Sequence, residues 1–335
     1  MTAGQQAGAI RPAASRPPGA APAVLRRLAR NRVAVLLLIL ALYNLVFAVL
    51  RPASFLSLDN YLSILVNMSI ESFIVIGITI LLVTGNLDLS LGANMALSGI
   101  LCGLLIKYSH LGLGEILAVT LVASIAMGAV NGYVIAYVGV NPIITTLATA
   151  FAYQGVAVWL AGPGFTDFPD YFKVYGQSRW LGVQGPVWYM LGITALFHLL
   201  LSNAPFFRNF YFVGGSKRGA AMSGIPVART VFSAFVIAAV LANLAGVVTA
   251  SRFNSSMTSI GTGVELRAVT AAVIGGVAFT GGSGTILGAV LGALFLAFVN
   301  NGLILLGVEP SWQNVVVGII LILSIVIDVA TRRRR

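Results

Sequence analysis

From Val33 onward the chain reads as apolar runs of about 20 residues, broken by short polar or glycine-rich stretches. A helix needs about 20 predominantly apolar residues to cross a bilayer. Ten runs of that order stand out: 33–50, 61–83, 89–107, 114–138, 142–161, 187–203, 229–250, 267–280, 285–306 and 312–330. The eighth is short and glycine-rich, which predicts a broken or re-entrant helix, and such backbone is tolerated at membrane depth only where protein or a water-filled space covers it. The predicted fold class is all-α: a polytopic transmembrane helical bundle of about ten spans. The expected organisation is a disordered cytosolic tail over 1–30, a transmembrane domain over 31–331 with a cytosolic loop at 204–228, and a basic cytosolic tail at 332–335.

Composition agrees with this pattern. The chain is 58% hydrophobic and 9% charged, against about 25% charged in soluble domains, so it cannot cover a water-facing surface. Residues 1–23 are rich in Ala, Pro, Gly and Gln, a disordered composition, and lack the short apolar core and cleavage site of a signal peptide.

The net charge of +11 raises the question of nucleic acid, but the distribution of the cations excludes it. With the N-terminus in the cytosol, fourteen of the 20 Lys and Arg fall inside: Arg11, Arg16, Arg26, Arg27, Arg30, Arg32, Arg208, Lys217, Arg218, Arg229 and Arg332 through Arg335. Arg51, Lys107, Lys173, Arg179, Arg252 and Arg267 fall outside. This is the bias of the positive-inside rule and predicts an N-in, C-in topology. The longest outside loop, about 162–186, carries Phe165, Phe168, Tyr171, Phe172, Tyr175 and Trp180, which read either as an interfacial aromatic belt or as part of a receiving surface for a partner.

No catalytic constellation is visible. None of the three lysines follows a glycine, so there is no Walker A sequence and no P-loop. Cys102 has no second cysteine to pair with, and His110 and His198 are far apart, so neither metal nor other cofactor is expected. Ionisable residues within spans are candidates for function by default. Glu71 is the strongest, lying mid-span with no cation near it in sequence, and an ion-coupled secondary transporter would use such a group. Asp88 and Ser90, in the stretch Gly85–Gly92, read as a turn and helix cap. Uncharged polar residues recur in the runs: Asn67, Asn94, Thr145, Thr146, Gln154, Asn300 and Asn301. They can glue helices together or hydrogen-bond a hydroxylated solute along a pathway, and with few buried charges the second use fits a polyol or sugar. Two internal echoes occur: Thr84-Gly85 with Leu91-Gly92-Ala93 against Thr280-Gly281 with Leu287-Gly288-Ala289, and Gly139–Pro142 against Gly307–Pro310.

The segment Gly214–Gly224, GGSKRGAAMSG, is unlike an ordinary connecting loop. Its small residues leave backbone open for close approach by another protein. Together with its neighbours it carries a resemblance. TGNLDLSLGA at 84–93, NPIITTLATA at 141–150, VGGSKRGAAMSGIP at 213–226, GTGVELRAVTAAVIGGV at 261–277 followed by GGSGTILGAVLGAL at 281–294, and NNGLILLGV at 300–308 occur in the order and spacing of the permease subunits of ribose-type ABC importers, which the chain resembles from about Asn60 to Val329. The resemblance implies a bacterial inner-membrane pore of two permease copies or paralogues, an extracytoplasmic solute-binding protein and a separate ABC ATPase. It implies that Gly214, Gly215, Lys217, Arg218, Ala220, Ala221 and Gly224 form the ATPase dock. The chain departs from the family pattern at Asn86, where glycine is usual, and at Arg267, Lys217 and Arg218, where acidic residues are common.

Overall fold

The computed structural model describes residues 32–162 and 164–332; the predicted tail over 1–30 and residues 333–335 lie outside the described residues. Among the described residues eight helices are long and apolar enough to cross a membrane. They are α1 (Arg32–Leu50), α3 (Leu58–Val83), α4 (Leu91–Tyr108), α5 (Leu113–Tyr133, continued by a π-helical turn over Val134–Val138), α6 (Pro142–Ala161), α8 (Gly185–Asn203), α11 (Val227–Phe253) and α13 (Ile286–Leu305). Shorter helices lie between them: α2 (Pro52–Phe55), α7 (Asp170–Gln177), α9 (Pro205–Gly215), α10 (Lys217–Met222) and α12 (Val264–Ile274). The chain closes with α14 (Pro310–Arg332), 23 residues long. The run expected over 267–280 is helical only as far as Ile274. At 11 residues and 1.5 Å per residue, α12 spans about 16 Å of a hydrocarbon layer about 30 Å thick.

Helix ends follow local chemistry. Proline opens α6, α8 and α9 within the first turn, where its missing N–H costs nothing. Asn141 Oδ1 accepts from Ile143 N at 2.9 Å at the start of α6, and Thr285 Oγ1 accepts from Gly288 N at 3.1 Å at the start of α13. The echo between Gly139–Pro142 and Gly307–Pro310 has the same origin. In both places a glycine follows one helix and a proline opens the next, so the echo is shared stop-and-start chemistry rather than a repeated fold unit.

The centre of the bundle is α3 and α11, with α4 and α5 packed against α11. From Ser72 to Thr84 every α3 side chain is buried. Small residues set the spacing, as in membrane bundles generally: Gly77 meets Ala238, Gly99 meets Gly246, and a β-carbon on Gly128 would lie 2.8 Å from Phe235 O. α1 sits at the edge, with Leu38 67% and Val49 74% exposed, a surface suited to hydrocarbon.

The loop after α6 is ordered. A two-residue strand β1 (Phe165–Thr166) runs antiparallel to β4 (Ser255–Ser256), and β2 (Arg179–Trp180) pairs with β3 (Val183–Gln184). Ser251 Oγ donates to Phe172 O at 2.6 Å and accepts from Gly176 N at 2.8 Å, fastening α7 to α11. Phe165, Phe168 and Phe172 are buried in a cluster with Ile100, Ile116 and Ala157. These three rings are therefore interior packing, and only Tyr171, Tyr175 and Trp180 of the expected aromatic set face outward. On the exposed side of α7 the Lys173 ammonium, 2.8 Å from Asp170 Oδ1, hydrogen-bonds that carboxyl and holds it below the usual carboxylate range.

Candidate transport pathway and docking surface

Two partly buried non-helical segments join helices of the bundle, residues 84–90 between α3 and α4, and residues 275–285 between α12 and α13. They are the segments that carry the first echo, and they touch. A β-carbon on Gly281 would lie 2.9 Å from the Gly85 Cα, and Gly282 N donates to Val83 O at 3.0 Å. Buried backbone groups need partners, and these segments find theirs both nearby in sequence and across the bundle. Asn86 N donates to Leu81 O at 3.0 Å, Leu89 N to Thr146 Oγ1 at 3.1 Å, and Ala278 N to Ser283 O at 2.9 Å.

Asp88, 1% exposed, anchors the first segment. Its Oδ1 accepts from Ser90 N at 2.7 Å and from Ser90 Oγ at 2.6 Å. Asn131 Nδ2 donates to Ser90 Oγ at 2.8 Å and to Asp88 Oδ2 at 3.3 Å, and Thr149 Oγ1 donates to Asn131 Oδ1 at 2.8 Å. Asp88 thus secures the N–H just before α4. Ser90 stands at the N-cap position, but its hydroxyl donates to Asp88 instead of receiving an N–H from the first turn. The network ties the 84–90 segment to α5 and α6. Gly92 continues the close packing, lying against Gly261 O and the Glu265 carboxylate.

The polar residues predicted along a pathway do not form one line. Asn94 joins a second buried network, with Ser124 Oγ donating to its Oδ1 at 2.8 Å and Ser98 Oγ at 3.2 Å. Thr145 and Thr146 donate back to Asn141 O and Pro142 O within α6. Asn301 and Asn60 exchange amide bonds of 2.7 and 3.3 Å between α13 and α3, while Asn300 Oδ1 is buried without a partner. Asn67 Oδ1 accepts from Arg252 Nη2 at 2.9 Å. Glu71 corrects the reading that it lacks a cation, because Arg267 Nε donates to its Oε1 at 3.0 Å. The partner sits 196 residues away, beyond the reach of any local pattern.

Gln154 has a different setting. It lines a cavity of about 380 Å³ with Leu89, Ala93, Phe151, Gly263 and Glu265, between the start of α4, the face of α6 and the start of α12. Gln154 Nε2 donates to Thr258 O at 3.2 Å. A carboxylate, an amide and an aromatic ring around one cavity can bind hydroxyl groups on one side and carbon on the other. Glu265 is absent from the predicted pathway residues. Its one sequence signal was its place among the few acidic residues near spans.

The Gly214–Gly224 stretch forms the end of α9, all of α10 and the turn after it. Ser216 Oγ accepts from Gly219 N at 3.0 Å and caps α10, and Ile225 N donates to Ala220 O at 3.0 Å behind it. Lys217, Arg218, Ala221 and Gly224 are exposed, and Ala220 is buried. Between α9 and α10 lies a cleft of about 550 Å³ lined by Tyr211, Phe212, Gly215, Ser216, Gly219 and Ser223. Gly214 at its root is tightly enclosed: a β-carbon there would collide with Val83 O and lie 2.7 Å from Gly282 N. Tyr211 OH donates to Gly284 O at 3.0 Å. The cleft is therefore in direct contact with the end of α3 and with the 275–285 segment.

Residues 60–325 match the family model described as branched-chain amino acid transport system / permease component. The chain belongs to this permease family. Its relatives include the ribose import permease protein RbsC of Escherichia coli, 34% identical over 82% of this chain and 87% of the relative. RbsC of Bacillus subtilis is 34% identical over 85% and 88%. The autoinducer 2 import system permease protein LsrC of Salmonella typhimurium is 31% identical over 91% and 88%. No solved structure matches the chain. The permease family and the eight apolar helices make this a multi-pass membrane transport subunit.

Proposed function

We propose that this permease is the membrane subunit of an ATP-binding-cassette importer that carries a sugar or related polyhydroxylated small molecule into a bacterial cytoplasm across the inner membrane. The cleft between α9 and α10 receives a separate ATPase subunit, and an extracytoplasmic binding protein delivers the solute at the α7 end. A second permease copy or a paralogue completes the pore. The N-in, C-in orientation rests on the charge bias, which puts Arg208, Lys217, Arg218 and Arg229 on the cytosolic side.

The observation that carries this reading is the position of Gly214. Gly214, next to the cleft residue Gly215, bears on Val83 and Gly282 at once, so displacement of α9 and α10 pushes on both non-helical segments. Those segments lead into α4 and α13, and the first borders the cavity of Gln154 and Glu265. Closure of the ATPase can in this way reshape the cavity without ATP reaching it. The names of the ribose and autoinducer 2 relatives support a hydroxylated solute, and the Gln154–Glu265 lining suits one. The ion-coupled alternative is less favoured, since its carrier, Glu71, is paired with Arg267.

Reconstitution into liposomes tests the proposal. Uptake that requires ATP, the ATPase and the binding protein supports it; uptake driven by an ion gradient with the permease alone overturns it. A thermal-shift screen of the cognate binding protein against pentoses, hexoses and polyols identifies the solute.

A further inference from the structure

A second cavity, of about 570 Å³, lies away from both the pathway cavity and the docking cleft. Leu117 and Leu121 of α5 form one wall, and Trp188, Tyr189, Gly192 and Ile193 of α8 form the other. Its floor is α11, through Asn243, Leu244, Val247 and Val248, with Phe73 of α3, and Tyr175 of α7 lies at one end. The volume falls within the about 300–1,000 Å³ typical of small-molecule sites. Gly192 is exposed, and a β-carbon on it would meet nothing within 4 Å, so the cavity opens beside it. The surrounding helix faces are apolar and outward, with Val122 65% and Leu191 50% exposed, so the opening faces the hydrocarbon of the bilayer.

One polar side chain is out of place in this setting. Asn243 is 4% exposed, and its Oδ1 has no hydrogen-bond partner. Leaving a buried acceptor unpaired is costly; Asn86 Oδ1, Thr194 Oγ1 and Asn300 Oδ1 are among the other buried groups in this state, but of these unpartnered groups Asn243 alone lines this cavity. A buried water needs two to four polar partners, whereas the floor beside Asn243 is made of Phe73, Leu244, Val247 and Val248 and the hydroxyls of the lining belong to Tyr175 and Tyr189. Trp188 Nε1 is already committed to Trp180 O at 3.2 Å. A hydroxyl can both donate and accept, so it satisfies the Asn243 amide in either orientation of its oxygen and nitrogen.

We infer that this cavity is a binding site for a membrane-dissolved alcohol, an alkyl or lipid-like body with one hydroxyl that bonds Asn243, entering from the bilayer past Gly192. The site is independent of the solute carried and of the ATPase.

Trp188 on the wall provides a reporter. The full-length permease carrying W159F, W180F and W312F, in nanodiscs, is titrated with 11-bromoundecan-1-ol and separately with 1-bromoundecane, whose bromine quenches nearby tryptophan. The expected result is saturable quenching by the alcohol, reversed by undecan-1-ol in the same sample, with only weak, non-saturating quenching by the alkane. Asn243→Leu lowers the apparent affinity for the alcohol about five-fold, the worth of about 1 kcal/mol for one hydrogen bond, and Gly192→Phe abolishes saturable quenching by filling the opening. Equal behaviour of alcohol and alkane, no relief by undecan-1-ol, or an unchanged affinity in Asn243→Leu overturns the inference. The competition arm needs no cavity substitution, so misfolding of either cavity variant does not rescue the idea.

Discussion

Glu71 and Arg267 are 196 residues apart and their side chains meet, with Arg267 Nε 3.0 Å from Glu71 Oε1. Gly85 and Gly281 are also 196 residues apart and also meet. The helix-segment-helix unit of α3, residues 84–90 and α4 thus faces its counterpart of α12, residues 275–285 and α13 at two matched positions, one ionic and one of bare backbone.

The ion pair is partly exposed, with Arg267 at 24% and Glu71 at 36% side-chain accessibility. Pairs this open contribute about 0–1 kcal/mol. Glu71→Gln is expected to lower thermal stability slightly while leaving uptake per folded transporter intact, and the double exchange of Glu71→Arg with Arg267→Glu is expected to recover the loss. Abolished uptake at unchanged melting temperature would instead make Glu71 a transport group.

Adjacent glycines in the proposed dock should behave differently. Gly214→Ala adds a methyl where Val83 O already sits, and overpacking of this kind costs about 1–3 kcal/mol. It should lower the melting temperature and break coupling together. Gly215 has open space where a β-carbon would go and lines the cleft. Gly215→Trp should therefore leave the melting temperature unchanged and reduce binding of the ATPase in a pull-down. Equal effects at both positions would count against the cleft as the dock.

Asp88 is the hub of a satisfied buried network. Asp88→Ala strips Ser90 N, Ser90 Oγ and Asn131 Nδ2 of an acceptor, and unpaired buried groups cost about 1–3 kcal/mol each. A large drop in thermal stability is expected, with a smaller one for Asp88→Asn, which keeps one carbonyl oxygen. Thermal unfolding in detergent separates the two, and equal stability of Asp88→Ala and the parent chain would contradict the network.

Glu265→Gln and Gln154→Leu alter the cavity lining without entering either buried network. Each is expected to raise the KM for ATP-driven uptake while ATP hydrolysis by the assembled complex stays stimulated by the loaded binding protein. An unchanged KM in both would remove this cavity from the pathway.

The bundle was legible because membrane spans are written in composition and run length, and α12 was flagged by its glycines. The Gly214–Gly224 stretch, proposed above as the dock, stands out in sequence as an odd local string. Contacts were not. Arg267 could not be matched to Glu71 from spacing, since nothing in a linear pattern brings residues 196 apart together. The polar residues of the spans look alike in sequence, yet Asn301 bonds Asn60 while Gln154 lines a cavity, a difference decided by which way each helix is turned. The first echo marked segments that touch, and the second marked only repeated helix-end chemistry. Telling them apart required the packing.

The half-length of α12 also bears on how it is seated. Eleven residues are too few for a helix to be released into lipid alone, where a span needs about 20, and residues 275–285 continue it as turns and irregular backbone rather than as helix. This part of the chain packs against α3, which precedes it, and against α13 and α14, which follow it. The partners of this half-helix thus lie on both sides of it in chain order, and its seat is complete only once the segments on both sides are present.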